Sequence, residues 1–333
     1  MRWIFILFFY LWLPLNEGFC QAGTDLRRNE YAHGQMGTVF KIICFAPESL
    51  KTDSIVHHAF SILDSLNLVL SDYLPDNELK HLCQKSSSGA YIDVSDVMYE
   101  VAKISLRWAK FSRGTFDITV GPYTQLWRRA RRQERLPDEN RLKNASGSVG
   151  YRFMKLNHDK KQILLKRRGM QLDFGGIGQG YAVDRIYAYL KSQGIPICLV
   201  DGGGDIYAGD PPPGEPGWKI GIESHEEKEE YHYISNMSIS TSGDLYQYIE
   251  YEGTRYSHIV DPKTGLGVTT PRTATIIAPD AVTSDVLATV VCITGPTKGF
   301  RWLKKLKGIR ALVTELEDEN IRRFELGNFD FTK

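Results

Sequence analysis

A chain of 333 residues that is 42% hydrophobic and 24% charged has enough apolar surface to bury a large core, which excludes a disordered protein. Its formal charge of +1, from 41 Lys and Arg against 40 Asp and Glu, supplies neither a positive field for nucleic acid nor an acidic tail for a basic partner. Neither DNA nor RNA is an expected ligand.

The first residues, MRWIFILFFYLWLPLNEGFCQAG, carry one basic residue, an apolar run from Trp3 to about Pro14, and then small and polar residues. The run is shorter than the ~20 residues of a membrane span and has the charge, apolar core and polar exit of a secretory signal. We expect 1–22 to be an export signal cut near Ala22, with a lipid anchor at Cys20 as the alternative. Phe19 and Glu17 stand against the anchor, because small residues are expected before such a site. Residues 23–333 read as one unit. Export would leave Cys44, Cys83, Cys198 and Cys292 in an oxidising space where pairing is allowed. Three of them lie in the apolar runs VFKIICFA, IPICLV and TVVCITG and read as small buried hydrophobes. No Cys or His spacing suggests zinc.

In chain order, TVFKIICFA reads as a strand and 53–70 as a helix with Ile55, Ala59, Ile62, Leu66 and Leu70 on one stripe. A second helix is expected at 96–109, where Val97, Val101, Ile104 and Trp108 recur at helical spacing. The stretch 125–145, beginning QLWRRARRQERLPDENRLKN, alternates basic and acidic residues and reads as a solvated helix and loop, with a partner surface as the alternative. A strand follows near 161–166 and a strand leading into a glycine turn at 171–176, then a helix at about 178–192 and short strands at 197–201, 217–223 and 237–241. YQYIEYEGTRYSHIV reads as a hairpin turning at Glu252-Gly253. The last third gives a strand TATIIA, helices 283–293 and 297–306, and strands 310–315 and 320–325. Strands mostly following strands argue for an α+β fold with antiparallel or mixed sheets, in one two-lobed unit.

Four places carry chemistry. LDFGGIGQGYAVD runs from an apolar segment through four glycines into a helix whose N-terminus can face an anion, so it suits a phosphate-bearing ligand or close packing. Its glycine spacing is not that of the dinucleotide fingerprint. A second cluster, LVDGGGDIYAGD, lies one helix later. In APDAVTSDVLATVVCITG, Asp285 and Thr289 stand four apart on one helix face, where they suit a hard cation, or a helix dipole and packing. In RYSHIVDPKTG, His258 is a candidate general base, and Asp261 either orients its ring or forms the turn with Pro262.

Taken in order, MGTVF (36–40), LSDYLPDNEL (70–79), GTFDITVGP (114–122), LDFGGIGQGYAVD (172–184), DGGGDI (201–206), STSGD (240–244), SHIVDPKTG (257–265) and SDVLAT (284–289) resemble the ordered motifs of the ApbE family. That family contains the FAD:protein FMN transferases, and the resemblance spans about 31 to 325. It implies an exported, periplasmic enzyme, free or membrane-associated, that uses Mg²⁺ to cleave FAD. FMN passes to a Thr or Ser hydroxyl of a partner redox protein as a phosphoester, and AMP is released. Hydrolysis of FAD to FMN and AMP is the alternative reaction, and a non-catalytic flavin-binding lipoprotein the alternative of another class. By the resemblance, Met36, Tyr73, Thr115, Phe116, Asp117, Asp173, Gln179 and Ile259 contact FAD. Gly176, through its backbone oxygen, joins Asp285 and Thr289 as Mg²⁺ ligands, and His258 activates the acceptor hydroxyl with Asp261 beside it. The chain departs from the family's usual Lys or Glu at Gln179, Ala at Gly178 and Asn at Cys83.

Overall fold

A computed structural model describes residues 25–85, 89–222, 230–245, 247–317 and 320–327. The expected export signal, with Cys20 and Ala22, lies outside them. The chain opens with the hairpin β1 (Leu26–Gln35) and β2 (Thr38–Pro47), turned by Met36 and Gly37, both at positive φ. Next come α1 (Thr52–Leu70), α2 (Glu78–Lys85), β3 (Ile92–Asp93) and α3 (Asp96–Phe111), whose N-cap Ser95 side chain accepts the Met98 N–H. The charged stretch forms α4 (Gly121–Arg132) and α5 (Glu139–Ser146), before β4 (Met154–Asn157) and β5 (Gln162–Leu165). After α6 (Gly178–Ser192) the chain is mainly strand: β6 (Cys198–Asp201), β7 (Asp205–Ala208), β8 (Trp218–Ile222), β9 (Glu230–Ile234) and β10 (Met237–Gly243). The hairpin β11 (Tyr248–Tyr251) and β12 (Thr254–Ser257) turns where expected, with Glu252 and Gly253 both at positive φ as a tight two-residue turn requires. It precedes β13 (Arg272–Ala278), α7 (Ala281–Leu303), β14 (Arg310–Glu317) and β15 (Asn320–Leu326).

Eight strands form one sheet in the order β1-β2-β6-β7-β10-β13-β14-β15, with every neighbouring pair antiparallel. The small sheets β3-β5-β4, β8-β9 and β11-β12 are antiparallel too. The expected α+β class holds. The main core fills the space between one face of the large sheet and α1, α6 and α7. α7 is apolar nearly all round because it is covered all round: Val286, Leu287, Ala288, Val290 and Val291 have no exposed surface. The opposite face of the sheet packs Leu199, Ile239, Ile277 and Leu312 against Trp218 and Ile220 of the β8-β9 ribbon. A third, smaller cluster joins α4 to the β11-β12 hairpin through Tyr123, Trp127, Ile249 and Val260. The four cysteines among the described residues, Cys44, Cys83, Cys198 and Cys292, are buried free thiols, as the apolar runs around three of them suggested.

Two expectations need correction. Of the strand and glycine turn expected at 171–176, the turn forms and the strand does not. Only Gln171 bridges, to Val120, because the Asp173 N–H goes to the Ile118 carbonyl and the Asp173 carboxylate takes the Gly175 N–H, which leaves no ladder. The buried stripe of α1 is rotated from the expected one: Val56, Phe60 and Leu63 join Ala59, Leu66 and Leu70, while Ile55 and Ile62 lie at its margin. The two helices expected at 283–293 and 297–306 do form: α7 leaves helical geometry at Gly295 (φ 73°, ψ 167°) before Pro296, and this kink divides it into two helical runs.

Candidate active site

A cleft of about 1050 Å³ opens where the β1-β2 turn, the glycine turn before α6, α7 and the β11-β12 hairpin meet. Every site residue expected from the sequence lines it except Asp261.

Its deep end is the contact between α6 and α7. A Cβ on Gly180 would lie 2.5 Å from the Ala281 carbonyl oxygen and 2.9 Å from the Asp285 Cβ, so only glycine lets the helices approach this closely. The Gly180 N–H donates to Asp285 Oδ2 at 3.2 Å. Asp285 is 5% exposed, and among the described residues no cation pairs with it. Burial, followed by the like charge of Asp205, holds its carboxyl well above the ordinary range, the Gly180 N–H opposing and Asp184 adding to the rise. Asp205 itself is pushed up to about 7 by burial, with a Ser240 hydrogen bond opposing. One turn along α7, Thr289 Oγ1 lies 3.4 Å from Ser242 Oγ and 3.2 Å from where a Gly176 Cβ would stand. An uncompensated buried carboxylate, a hydroxyl and the Gly176 backbone form an oxygen-donor set. They fit a hard divalent cation that also takes phosphate oxygens.

Along the middle, the Asp173 carboxylate takes the Gly175 N–H through Oδ1 (2.8 Å), and Thr124 Oγ1 (2.6 Å) and Arg128 Nη2 (2.8 Å) through Oδ2. The other arm of Arg128 holds Asp72, and its guanidinium lies 4.3 Å from the centre of the Tyr73 ring. Tyr73 is 75% exposed, an aromatic face presented to the cleft with a cation behind it. Burial and the nearby Asp173 raise the pKa of Asp72 while Arg128 opposes. Thr115, Phe116 and Asp117 also line the cleft and are buried. Both Asp117 oxygens are taken, by the Thr119 N–H and hydroxyl (2.9 and 2.7 Å) and the Tyr151 N–H (2.6 Å), so this carboxylate fixes the turn at 115–120. Met36 in its strained turn, Gln179 and Ile259 complete the lining, and Cys83 accepts the Leu172 N–H beneath the glycine turn.

At the outer end stands His258, just after β12. Its backbone N–H and its Nδ1 both meet the Gln247 carbonyl oxygen, at 3.0 and 3.1 Å. A carbonyl only accepts, so Nδ1 carries the proton and the neutral ring has a free lone pair on Nε2. Crowding by the cleft walls lowers the pKa of His258; the Gln247 bond opposes this, and the charge of Arg131 adds to it. The residue as a whole is exposed, so the lowering reflects partial loss of water around the ring and not full burial. Asp261 is the correction here: its carboxylate accepts the Lys263 N–H at 2.9 Å, and its backbone closes the turn with Gly265 and Leu266. Of the two roles open to it, it forms the turn, and the Gln247 carbonyl orients the histidine.

Sequence reasoning missed Arg128, Asp72, Arg131 and Gln247. The first lies in the stretch assigned to solvent, yet Tyr123, Trp127 and Ala130 are buried on the same helix. Those three, at spacing four and three, were the available signal that α4 has an inner face.

The ApbE family model matches residues 36–313. An Escherichia coli (strain K12) protein named FAD:protein FMN transferase is 29% identical over 297 residues, 86% of this chain and 84% of its own. A Treponema pallidum (strain Nichols) protein of the same name is 28% identical over 317 residues, 89% of this chain and 87% of its own. The solved flavin transferase ApbE from Vibrio cholerae superposes with a TM-score of 0.83 at 25% identity, covering 91% of this chain and 98% of that one.

Proposed function

The chain belongs to the ApbE family, and from that premise we propose that it is an FAD:protein FMN transferase that moves FMN from FAD onto a Thr or Ser hydroxyl of a partner redox protein, releasing AMP. The observation that carries this reading is one cleft holding an oxygen-donor set at its deep end and a histidine with a free Nε2 at its mouth. A ligand whose pyrophosphate lies beside the donor set and within reach of the histidine suits that pairing of functions.

In this reading Tyr73, Phe116 and Met36 border the flavin and adenine ends, and the N-terminus of α6 faces the phosphates. Asp285, Thr289 and the Gly176 carbonyl would hold Mg²⁺, which when bound neutralises charge on the phosphates. His258 Nε2 takes the acceptor hydroxyl proton as that oxygen bonds to the FMN phosphorus. The bond from this phosphorus to the bridging oxygen breaks, and the oxygen leaves with AMP. The Arg128-Asp173 pair keeps the glycine turn fixed through the Gly175 N–H. As part of the same proposal, the protein works outside the cytoplasm, periplasmic or membrane-associated, delivered by 1–22. No helix among the described residues is long and apolar enough to cross a membrane.

Mass spectrometry of a threonine-bearing redox acceptor incubated with FAD, Mg²⁺ and this protein tests the reading. The expected result is an acceptor heavier by one FMN, with AMP in solution. Free FMN beside an unmodified acceptor would replace transfer with hydrolysis, and unchanged FAD would sink both.

A further inference from the structure

The charged helix α4 turns one more side chain to the cleft than the reaction described above uses. Arg131 Nη1 donates to Gln247 Oε1 at 3.0 Å, and the Gln247 carbonyl is the group that receives both the backbone N–H and the Nδ1 of His258. Gln247 lies in the link between β10 and β11, belongs to no strand and is exposed. A carbonyl on such a link orients a ring only if something holds the link. On its β10 side, Asp244 is tied by Arg255 (2.9 Å to Oδ2) and by the Arg272 N–H (3.1 Å to Oδ1). On its β11 side, the side chain of Gln247 is tied by Arg131.

We propose that Arg131 is a positioning residue for the transfer reaction: it anchors Gln247 so that the Gln247 carbonyl holds His258 in the Nδ1–H tautomer, with Nε2 free toward the acceptor hydroxyl. A guanidinium suits the task, because its planar fork can bond the amide oxygen while its charge disfavours a second proton on the imidazole. Three charged groups face that ring: Arg131 from α4, Asp244 from the end of β10, and Asp173 from the segment before α6. The two acids favour the imidazolium and Arg131 opposes it. Arg255 is committed to Asp244, which leaves Arg131 as the cation acting on the histidine.

The inference rests on His258 being the base, and the experiment separates the two. Histidine-labelled protein without FAD, Mg²⁺ or acceptor is titrated by ¹⁵N NMR, for the wild type and for Arg131→Met, Arg131→Lys and Gln247→Ala. Transfer rate against pH is measured in parallel on the full reaction. Wild-type His258 is expected as the Nδ1–H tautomer. Arg131→Met should move its midpoint to higher pH, mix the tautomers and slow transfer about tenfold, a fraction of what a ~1 Å misplacement costs. The acidic limb of the rate profile should shift with it. Arg131→Lys should keep the wild-type midpoint, and Gln247→Ala should mix the tautomers without the full shift in midpoint. An Arg131→Met protein with wild-type midpoint and tautomer overturns the proposal, as does one whose ring changes while transfer and its pH profile do not. A wild type that performs no transfer removes the proposed function, and the spectra still decide whether Arg131 governs the ring.

Discussion

The two ends of the cleft are built by different means. Asp285 and Thr289 sit on a helix embedded in the main core, with Ser284 bonded to Ser238 and Ser240 of the sheet at 2.9 and 2.8 Å and Asp184 capping Ala281 and Val282 at 2.7 and 2.9 Å. His258 sits on a peripheral segment with a small satellite core, held mainly by hydrogen bonds: Ser257 to Val268, Val268 to Ile259, and Trp127 Nε1 to the Gly265 carbonyl. Packing fixes one end and a polar mesh fixes the other. Sub-millisecond opening is drawn from regions with few buried apolar contacts. On the proposed reaction, the end that would admit the acceptor is therefore the one able to yield, while the end that would hold the small ligand stays set.

The largest expected effect tests the yielding end. His258→Ala should cut transfer by about 10²–10⁴, the worth of a positioned general base, and leave FAD affinity unchanged in a binding titration. A mutant that loses affinity and rate together would make the histidine part of the small-ligand site and erase the contrast.

Arg128→Ala comes next, because it strips the shared cation from Asp72 and Asp173, which are 9% and 7% exposed. Urea unfolding should show a loss of about 3 kcal/mol, the low end for breaking a buried ion pair. A neutral outcome would mean that these carboxylates find water when the arginine goes.

Asp285→Asn should weaken Mg²⁺ binding by at least about 10–100-fold, the cost of disturbing even outer-shell partners. The same change should not lower the melting temperature of the metal-free protein, since burial and the like charge of Asp205 disfavour the charged carboxylate there and an amide carries no charge to bury. Destabilisation without metal would show that Asp285 is a packing group.

The smallest effect is a pH slope. Burial pushes Asp184 up to about 7, against the two N–H bonds that lower it. A folded pKa above the unfolded value of ~4 contributes stability that is complete below pH 4 and lost as pH rises through about 7. The metal-free protein should therefore melt at lower temperature at pH 8 than at pH 5, and Asp184→Asn should flatten that slope. A slope of the opposite sign would place the charge of Asp184 in a stabilising role.

What the sequence disclosed follows the same division. β2, α6, α7 and the glycine turn were legible because burial imposes a pattern on them. β1 was not: LRRNEYAHGQ is an edge strand whose alternating half-buried positions are Asn29, Tyr31, His33 and Gln35, so its alternation in burial is not one of apolar and polar residues. β7 was hidden inside DGGGDIYAGD, where glycines drew attention to the turn and not to the four residues pairing with β6 and β10. α2 is only eight residues, too short to show a period. Asp261 looked like an orienter because it is three residues from His258, and sequence distance does not say which way a carboxylate points across a turn. The true orienter is a main-chain carbonyl, which every residue type possesses and no motif records.

β1 also acts as a ruler. Its ten residues, at a rise of about 3.4 Å each, run from the Met36 turn at the cleft to Leu26 roughly 30 Å away, paired to β2 throughout. Anything that grips the chain ahead of Leu26 holds it by the far end of a stiff ribbon. If the proposed membrane association holds, such a tether would set how far the cleft stands from the membrane, a distance the proposed acceptor would have to span.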